Sequence, residues 1–500
     1  MYQQLLIYFL KVIKLNINLM PFKIHWFKKN LRFQDNEILI KTDSSSSILL
    51  YIIEPELWIQ KDMSQRQWDF IWESLKSLKT DLAKQGLHLN ILYGDASEIF
   101  QKLHKKYSFT KVISEQETGI HWTFGRDKKL KSLFKELSVN WIEYPYFGVK
   151  RGNHNRDHWA GSIQNILKKP LVKKDKYIDN SIILTSQETQ TPRNFYDQTP
   201  CPFRQKGGSH HAHDLLNTFL EVRGENYQKE MSSPITAEKS CSRLSPHFTH
   251  GTISLRQAFQ TAEQKRLKVQ STNKVFTKSI NAFLSRLYWR SHFIQKLEDE
   301  PSIELKSFIT LYDEIRDQDK EKLQLWIKGE TGIPFIDACM IYLRNHGWIN
   351  FRMRAMLASF AAYNLWLDWR YFAPPLAALF TDFEPGIHYS QIQMQSGTTG
   401  INTIRMYNPY KQSEEQDPEA KFIINNIPSF KNVPKNLLHF PETVTPFEKQ
   451  LLPPTWKDPI INVVKSSKKA KDKIYGIRKM INHKILAKSV FLKHGSRKSH

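Results

Sequence analysis

GETGIPFIDACMIYLRNHGWINFRMRAMLASF, residues 329–360, decides how the second half of this chain is read. Its apolar positions recur at helical spacing, first in IPFIDACMIYLRNHG and again in the stretch that runs on to LWLDW. The second of these helices is apolar yet carries Arg352 and Arg354, two positions apart. At 100° per residue their side chains leave the helix about 200° apart, so one solvated face cannot hold both. At least one is expected to point inward. A buried guanidinium without an anion costs several kcal/mol, so a carboxylate or a bound ligand has to supply the countercharge.

Outward from this segment, residues 241–450 keep the helical period, as in ISLRQAFQTAEQ and INAFLSRLYWRSHFIQKLEDE, and no strand pattern of similar strength interrupts them. From Phe22 the pattern differs. KIHWF, SSILLYII, LHLNILYG, TKVISEQ and VNWIEYP read as strands, and RQWDFIWESLKSLKTDLAKQG reads as a helix closed by Gly86. The expected fold class is therefore an α/β N-terminal domain with a doubly wound parallel sheet, followed by an all-α C-terminal domain large enough to enclose a cofactor. The boundaries read as an extension over 1–21, the α/β domain over 22–150, a polar linker over 151–225, the helical domain over 226–455 and a basic tail over 456–500. Within the extension, Met20 stands just before the first well-patterned strand, so residues 1–19 read as an upstream start. Neither GxGxxG nor GxxxxGK[ST] occurs, which leaves ordinary dinucleotide or P-loop binding without support.

The chain's 500 residues are 40% hydrophobic and carry a net charge of +24, which favours a polyanionic partner because Lys and Arg release counterions on neutralising phosphates. Part of the excess is local: residues 465–498 hold twelve Lys or Arg against the single acid Asp472. A basic tail of this kind reads equally as a nonspecific nucleic-acid contact or as a solvated, disordered end. Three widely separated cysteines, Cys201, Cys241 and Cys339, are too few for a four-cysteine cluster and argue against a disulfide framework. They fit a reducing, cytoplasmic setting, at the nucleoid if the cell is bacterial. No run approaches a membrane span, and the first residues make a poor signal peptide. SHHAHD, with His210, His211, His213 and Asp214, lacks a usual ligand spacing, so no metal is expected.

Four segments of the helical half carry candidate chemistry. SCSRLSPHFTHGTIS (240–254) places hydroxyls and free N–H groups at a helix start, which suits phosphate or ordinary capping. SRLYWRSHF sets Arg286, Trp289 and Arg290 at helical spacing, which suits stacking on a base and pairing with phosphate or a structural Trp–Arg pair. The third segment is the one carrying Arg352 and Arg354. The fourth, FTDFEPGIHYSQIQMQSGTTGINTIRMYNP (380–409), reads as irregular and holds Asp382, Glu384 and His388.

In this order the segments resemble the photolyase and cryptochrome family of flavoproteins. IHWFKKNLRFQDNEIL is similar to that family's opening strand and loop, SRLSPHFTHGTIS to its phosphate-binding segment, YWRSHF to its DNA-facing helix, and residues 329–360 to its most specific stretch. The resemblance implies an α/β antenna domain, a long linker and a helical domain holding U-shaped FAD at the base of a hole that admits a flipped-out lesion. It implies that Arg354 lies beside the flavin ring and pairs with Asp382, that Phe383 and Glu384 adjoin the ring, and that His388 faces its N5. Tyr227, Ser242, Arg243, Leu244 and Ser245 would contact the phosphates and ribityl chain, with Arg290 near. Trp289 would stack on the dimer, Gln412 would serve cofactor or DNA, and Trp369 would belong to an electron-transfer chain. The implied activity is light-driven repair of pyrimidine dimers in DNA, a carbon–carbon lyase reaction performed by a monomer with reduced FAD. The alternative is a cryptochrome-type blue-light receptor without repair activity, and a third reading is a nucleic-acid-binding protein that has lost its flavin.

Several positions depart from the family pattern. Where dimer-repair enzymes carry a glutamate three residues before the WR pair, this chain has Arg286. Two expected tryptophans are Ile392 and Met394, and the paired histidines of six-four enzymes are Asn350 and Phe351. The outer member of the tryptophan chain falls near Arg316, which leaves Trp326, Trp348 or Trp366 as other routes. EQETGIHWTFGRD places Thr123 where a folate-holding glutamate is expected, so a folate antenna, a deazaflavin or none all remain open.

Overall fold

The computed structural model describes residues 22–495 apart from 41–46, 146–147, 153–155, 158, 174–180 and 185–189. The extension and upstream start over 1–21 thus lie outside the described residues. All five expected strands form: β1 (Lys23–Phe27), β2 (Ser47–Ile53), β3 (Leu89–Tyr93), β4 (Lys111–Glu115) and β5 (Asn140–Tyr144). They pair only in parallel, in the order β3-β2-β1-β4-β5. Both faces of the sheet are apolar, so the strands read as continuous hydrophobic runs and not as alternation. Leu49, Tyr51 and Ile53 of β2 share a core with Leu75, Leu78 and Leu82 of helix α1 (Gln65–Ala83). Ile48, Leu50 and Ile52 face the other way, onto Phe100 of α2 (Ala96–Tyr107) and Phe134 of α3 (His121–Glu136).

The stretch expected to be a linker contributes more than a connection. Helices α4 (Trp159–Lys168) and α5 (Ser209–Thr218) lie in it, and their Ile163, Leu167, Ala212 and Leu216 are buried in one cluster with Leu244, Phe259 and Phe283 of the helical half. That half contains α6 (Leu255–Val269), α7 (Lys274–Asp299), α8 (Pro334–His346), α9 (Phe351–Ser359), α10 (Trp369–Ala378) and α11 (Pro385–Gln395). The last of these corrects the irregular reading of 380–409. Pro385 starts the helix at its first position, where a missing N–H costs nothing. Gly386, Tyr389, Ser390, Ile392 and Gln393 are buried on more than one side, so no amphipathic stripe marks it.

The basic tail is corrected as well. Residues Val463–Lys479 and Ile481–His494 form helices α12 and α13. Ala470, Ile474, Ile477 and Val490 are buried against Ile309, Tyr312 and Tyr363, so a sparse apolar row within a lysine-rich stretch is core. The two halves are tied by buried polar contacts. Arg66 of α1 donates to the carbonyls of Arg344 and Leu379 at 3.0 Å each, and Arg256 and Ser254 both bond the Asp35 carboxylate. Among the described residues no helix is long and apolar enough to cross a membrane, and no cluster of His, Cys, Asp or Glu is arranged to hold a metal ion.

Candidate functional site

Arg352 and Arg354 diverge as the helical spacing requires. Arg352 Nη1 donates to Gln412 Oε1 at 3.4 Å. Arg354 turns the opposite way and makes a bidentate pair with Asp382, 3.0 Å to Oδ1 and 2.8 Å to Oδ2. Its Nε donates to the Ile349 carbonyl at 2.6 Å, and its guanidinium lies 4.2 Å from the centre of the Phe380 ring. Two forked bonds plus a carbonyl leave this cation one orientation. The anion demanded by the sequence is therefore a carboxylate. The pair is asymmetric, with 27% of the Arg354 side chain exposed against 2% for Asp382, so the accessible charge is positive.

A second pair repeats the arrangement. Arg290 of α7 donates to Glu384 Oε2 at 2.5 Å, and Lys29, from the loop after β1, reaches Glu384 Oε1 at 3.3 Å. Glu384 is the more buried partner in both contacts. Its carboxylate is thus taken up by two cations, one from each half of the molecule. Lys29 had no signal in the sequence, because only the docking of the α/β half brings it here.

His388 lies one turn into α11, half-buried between Phe383 and Tyr389, with ring centroids 5.3 Å from each. Its Nε2 sits 2.9 Å from the Ala373 carbonyl. A carbonyl only accepts, so Nε2 carries the proton and Nδ1 keeps a lone pair in the neutral ring. Burial, aided by the Arg354 charge, pulls its pKa down to about 4, so the neutral form holds at physiological pH.

The serine-rich segment supplies a different kind of surface. Arg243 has φ of +60°, an uncommon conformation for a side-chain-bearing residue, and precedes the short helix Ser245–Thr249. Its guanidinium is stacked 4.0 Å over Trp348 and pairs with Glu238 at 3.4 Å, so the side chain is committed within the protein. Ser242 Oγ accepts from the Leu244 N–H at 3.4 Å, Leu244 is buried and Ser245 is half-buried. Tyr227 is buried and hydrogen-bonds Arg286, and burial pushes its phenol up to about 12.

The residues expected to meet DNA separate into two groups. Trp289 is 41% exposed and stacks on Phe293 at 5.8 Å, and Phe351 and Arg286 are also exposed. Met394 is half-buried. Asn350 and Gln412 are not available in the same way. Asn350 donates to the carbonyls of Met231 and Ser232, and Gln412 is held between Arg352 and Glu415, both amides being buried. Short amides at helix starts give the same sequence signal whether they serve a ligand or a neighbouring backbone, so sequence could not divide them. Trp369 is buried, its Nε1 donating to Ser307 Oγ at 2.8 Å, and Arg316 is buried over Trp366 at 5.0 Å.

Between the halves lies a small cavity of about 80 Å³ at the carboxyl ends of β1, β2 and β4, the usual ligand crevice of such a sheet. Lys28, Glu54, Glu117, Thr123 and Arg126 line it. Arg126 bonds Glu54 at 2.6 Å and Glu117 at 2.7 Å, while Thr123 Oγ1 donates to the Ile120 carbonyl.

An α/β half docked on a helical half, with paired arginine–acid clamps and a neutral histidine in the latter, defines a two-part protein whose helical half presents cations to an anionic ligand. Residues 23–145 match the family model described as DNA photolyase, and residues 283–476 match the FAD binding domain of DNA photolyase. The chain belongs to the photolyase and cryptochrome family. A deoxyribodipyrimidine photo-lyase of Escherichia coli is 26% identical over 448 residues, covering 83% of this chain and 91% of that protein. Among solved structures, a Synechocystis cryptochrome superposes with a TM-score of 0.78 at 20% identity, covering 90% of this chain and 99% of its own. An archaeal photolyase from Sulfolobus tokodaii, described with two FAD molecules, gives 0.72 at 25% identity and covers 91% of this chain and all of its own, 100%.

Proposed function

We propose that this protein is a DNA photolyase that uses light to split pyrimidine dimers. When bound, reduced FAD supplies the photoexcited electron that opens the dimer. The residues present fit that group: the clamp around Arg354 turns its cation outward and its acid inward, which suits a ligand that is anionic in both its diphosphate and its reduced ring. This asymmetry is the observation that carries the reading. Asp382 holds Arg354 in one orientation, and Arg290, fixed by Glu384, adds a second cation. His388 offers a neutral Nδ1 lone pair that can accept a hydrogen bond from an N–H group without adding charge. Ser242 and Ser245, beside the strained backbone at Arg243, offer hydroxyl donors to phosphate. Trp289 is a flat exposed platform for an unstacked base, and the net charge of +24 draws the DNA backbone. Extruding a lesion that already pairs poorly costs only a few kcal/mol, which favours damaged sites.

A light-receptor reading has its own support. Ile392 and Met394 replace the two tryptophans expected in the substrate segment, and Arg286 reverses the charge of a lesion-binding glutamate. The deciding experiment reduces the purified flavin-loaded protein, illuminates it with dimer-containing single- and double-stranded oligonucleotides, and follows the return of thymine absorbance. Restoration supports repair, flavin without restoration supports light reception, and a colourless protein favours a nucleic-acid binder. For an antenna chromophore we propose the crevice between the halves, with a folate, a deazaflavin or no pigment as the three outcomes. Extraction and chromatography of the bound pigment distinguish them.

A further inference from the structure

Tyr389 occupies an unusual electrostatic position. It is buried in α11, and its phenol donates to Asp62 Oδ2 at 3.0 Å across the boundary between the halves. A carbonyl or hydroxyl would satisfy a buried phenol without placing a charge there, whereas a buried carboxylate is costly. Asp62 also has Glu304 near enough to interact, and Glu304 accepts from the His121 N–H at 2.7 Å. Burial pushes Asp62 up to about 6 and Glu304 to about 8. At neutral pH the first is ionised, yet basic enough to take a proton, and the second is protonated.

Aromatic rings cluster around Tyr389. His388 and Phe383, both at the flavin site proposed above, lie at centroid distances of 5.3 Å and 6.2 Å. Trp369 lies at 6.5 Å, also buried. Ile392, one turn along the same helix, cannot be oxidised under these conditions. Tyr389 is therefore the oxidisable ring of α11 nearest to Trp369 and His388.

We propose that Tyr389 is a redox-active tyrosine that donates an electron to light-excited oxidised flavin, with Asp62 as its proton acceptor. The step balances within the pocket. Tyr389 loses one electron, which the flavin gains; its phenolic O–H bond breaks, and a new O–H bond forms at Asp62 Oδ2. What remains is a neutral tyrosyl radical hydrogen-bonded to a protonated carboxyl, a pair that recombines by the reverse path, the electron returning from the flavin and the proton from Asp62. A phenol that loses an electron becomes a strong acid, so a base already in hydrogen-bonding contact makes the transfer possible without a solvent proton channel. This assignment rests on the flavin reading, and the chain's own residues report on it separately from repair.

The test uses the full-length protein with its flavin oxidised, illuminated and freeze-trapped for electron paramagnetic resonance. A tyrosyl signal is expected, narrowing when the protein is made with ring-deuterated tyrosine. Y389F is expected to keep the flavin absorbance and lose the signal. D62N keeps a partner for the phenol but not a base, so it too is expected to lose the signal, and D62E to recover it. Circular dichroism melts establish that each variant is folded. A flavin-loaded protein that yields only tryptophan radicals, or a tyrosyl signal that survives in Y389F, overturns the relay and leaves the repair reading standing. A tyrosyl signal without dimer splitting overturns repair and leaves the relay standing. A colourless protein overturns both.

Discussion

Single side chains set the charge of the site, and Asp382 has the largest consequence. With both oxygens bonded to Arg354 it neutralises a guanidinium that is mostly withdrawn from water. D382N keeps the shape but removes the charge and one of the two acceptors, leaving a cation with a half-satisfied fork. Because Arg354 retains some exposure, the expected loss is about 2 kcal/mol, below the range for a fully buried pair. Urea unfolding measures it, and the visible spectrum of the purified variant is expected to show flavin loss that exceeds this loss of stability. His388 gives a contrasting expectation. Its depressed pKa of about 4 means that no titration of this ring occurs between pH 6 and 9, so nuclear magnetic resonance of the imidazole is expected to show a flat shift across that range. A midpoint near 6.5 would place the ring in water and remove it from the proposed site.

Packing between elements fixes where those side chains stand. Helix α11 crosses α7 at Gly386, where an added Cβ would stand 2.6 Å from the Ile294 Cα. The obstacle is backbone and cannot rotate away. G386A is therefore expected to cost about 1–3 kcal/mol through forced separation of the helices. It also shifts Glu384 and His388 relative to Arg290, so flavin retention should fall with stability. In the tail, Ile474 is fully buried against Tyr312 and Tyr363, and I474A is expected to cost about 2–5 kcal/mol by chemical denaturation. A solvated tail would show no change. These two elements also mark where sequence reading stopped. The five strands were legible as short apolar runs, and helices α6 to α9 because each buries residues at helical spacing. Helix α11 was not legible, being enclosed by neighbours, and α12 and α13 were masked by lysines that surround a sparse apolar row. Arg354 and Asp382 were legible as partners, since an inward cation requires an anion. Lys29, Asp62 and Tyr389 were not, because their contacts join residues more than three hundred positions apart.

At the scale of the whole molecule, two sets of buried groups pull stability in opposite directions with pH. His247 and His250 are lowered by burial to about 3, and His388 to about 4, from an ordinary 6.5. A depressed histidine contributes stability that is present above 6.5 and lost as pH falls through its folded value. Glu54 and Glu115 are raised by burial to about 7, and Glu304 to about 8, from 4.5. A raised carboxyl contributes stability that is present below 4.5 and lost as pH rises through its folded value. Between 4.5 and 6.5 the two slopes oppose and nearly cancel. Below that interval the histidines dominate; above it the carboxyls continue until about pH 7, where Lys296, lowered by burial to about 7 from 10.5, begins to oppose Glu304. The melting temperature is therefore expected to be broadly flat from about pH 4.5 to 6.5 and to fall on both sides, with most of the alkaline fall complete near pH 7. Glu304 separates this account from a general effect of net charge. E304Q keeps an acceptor for the His121 N–H but has no proton to lose, so its melting temperature should rise relative to the wild type as pH increases from 5 to 8. A curve parallel to the wild type throughout would mean that Glu304 is hydrated and that the boundary between the halves, where it meets Asp62, is open to water.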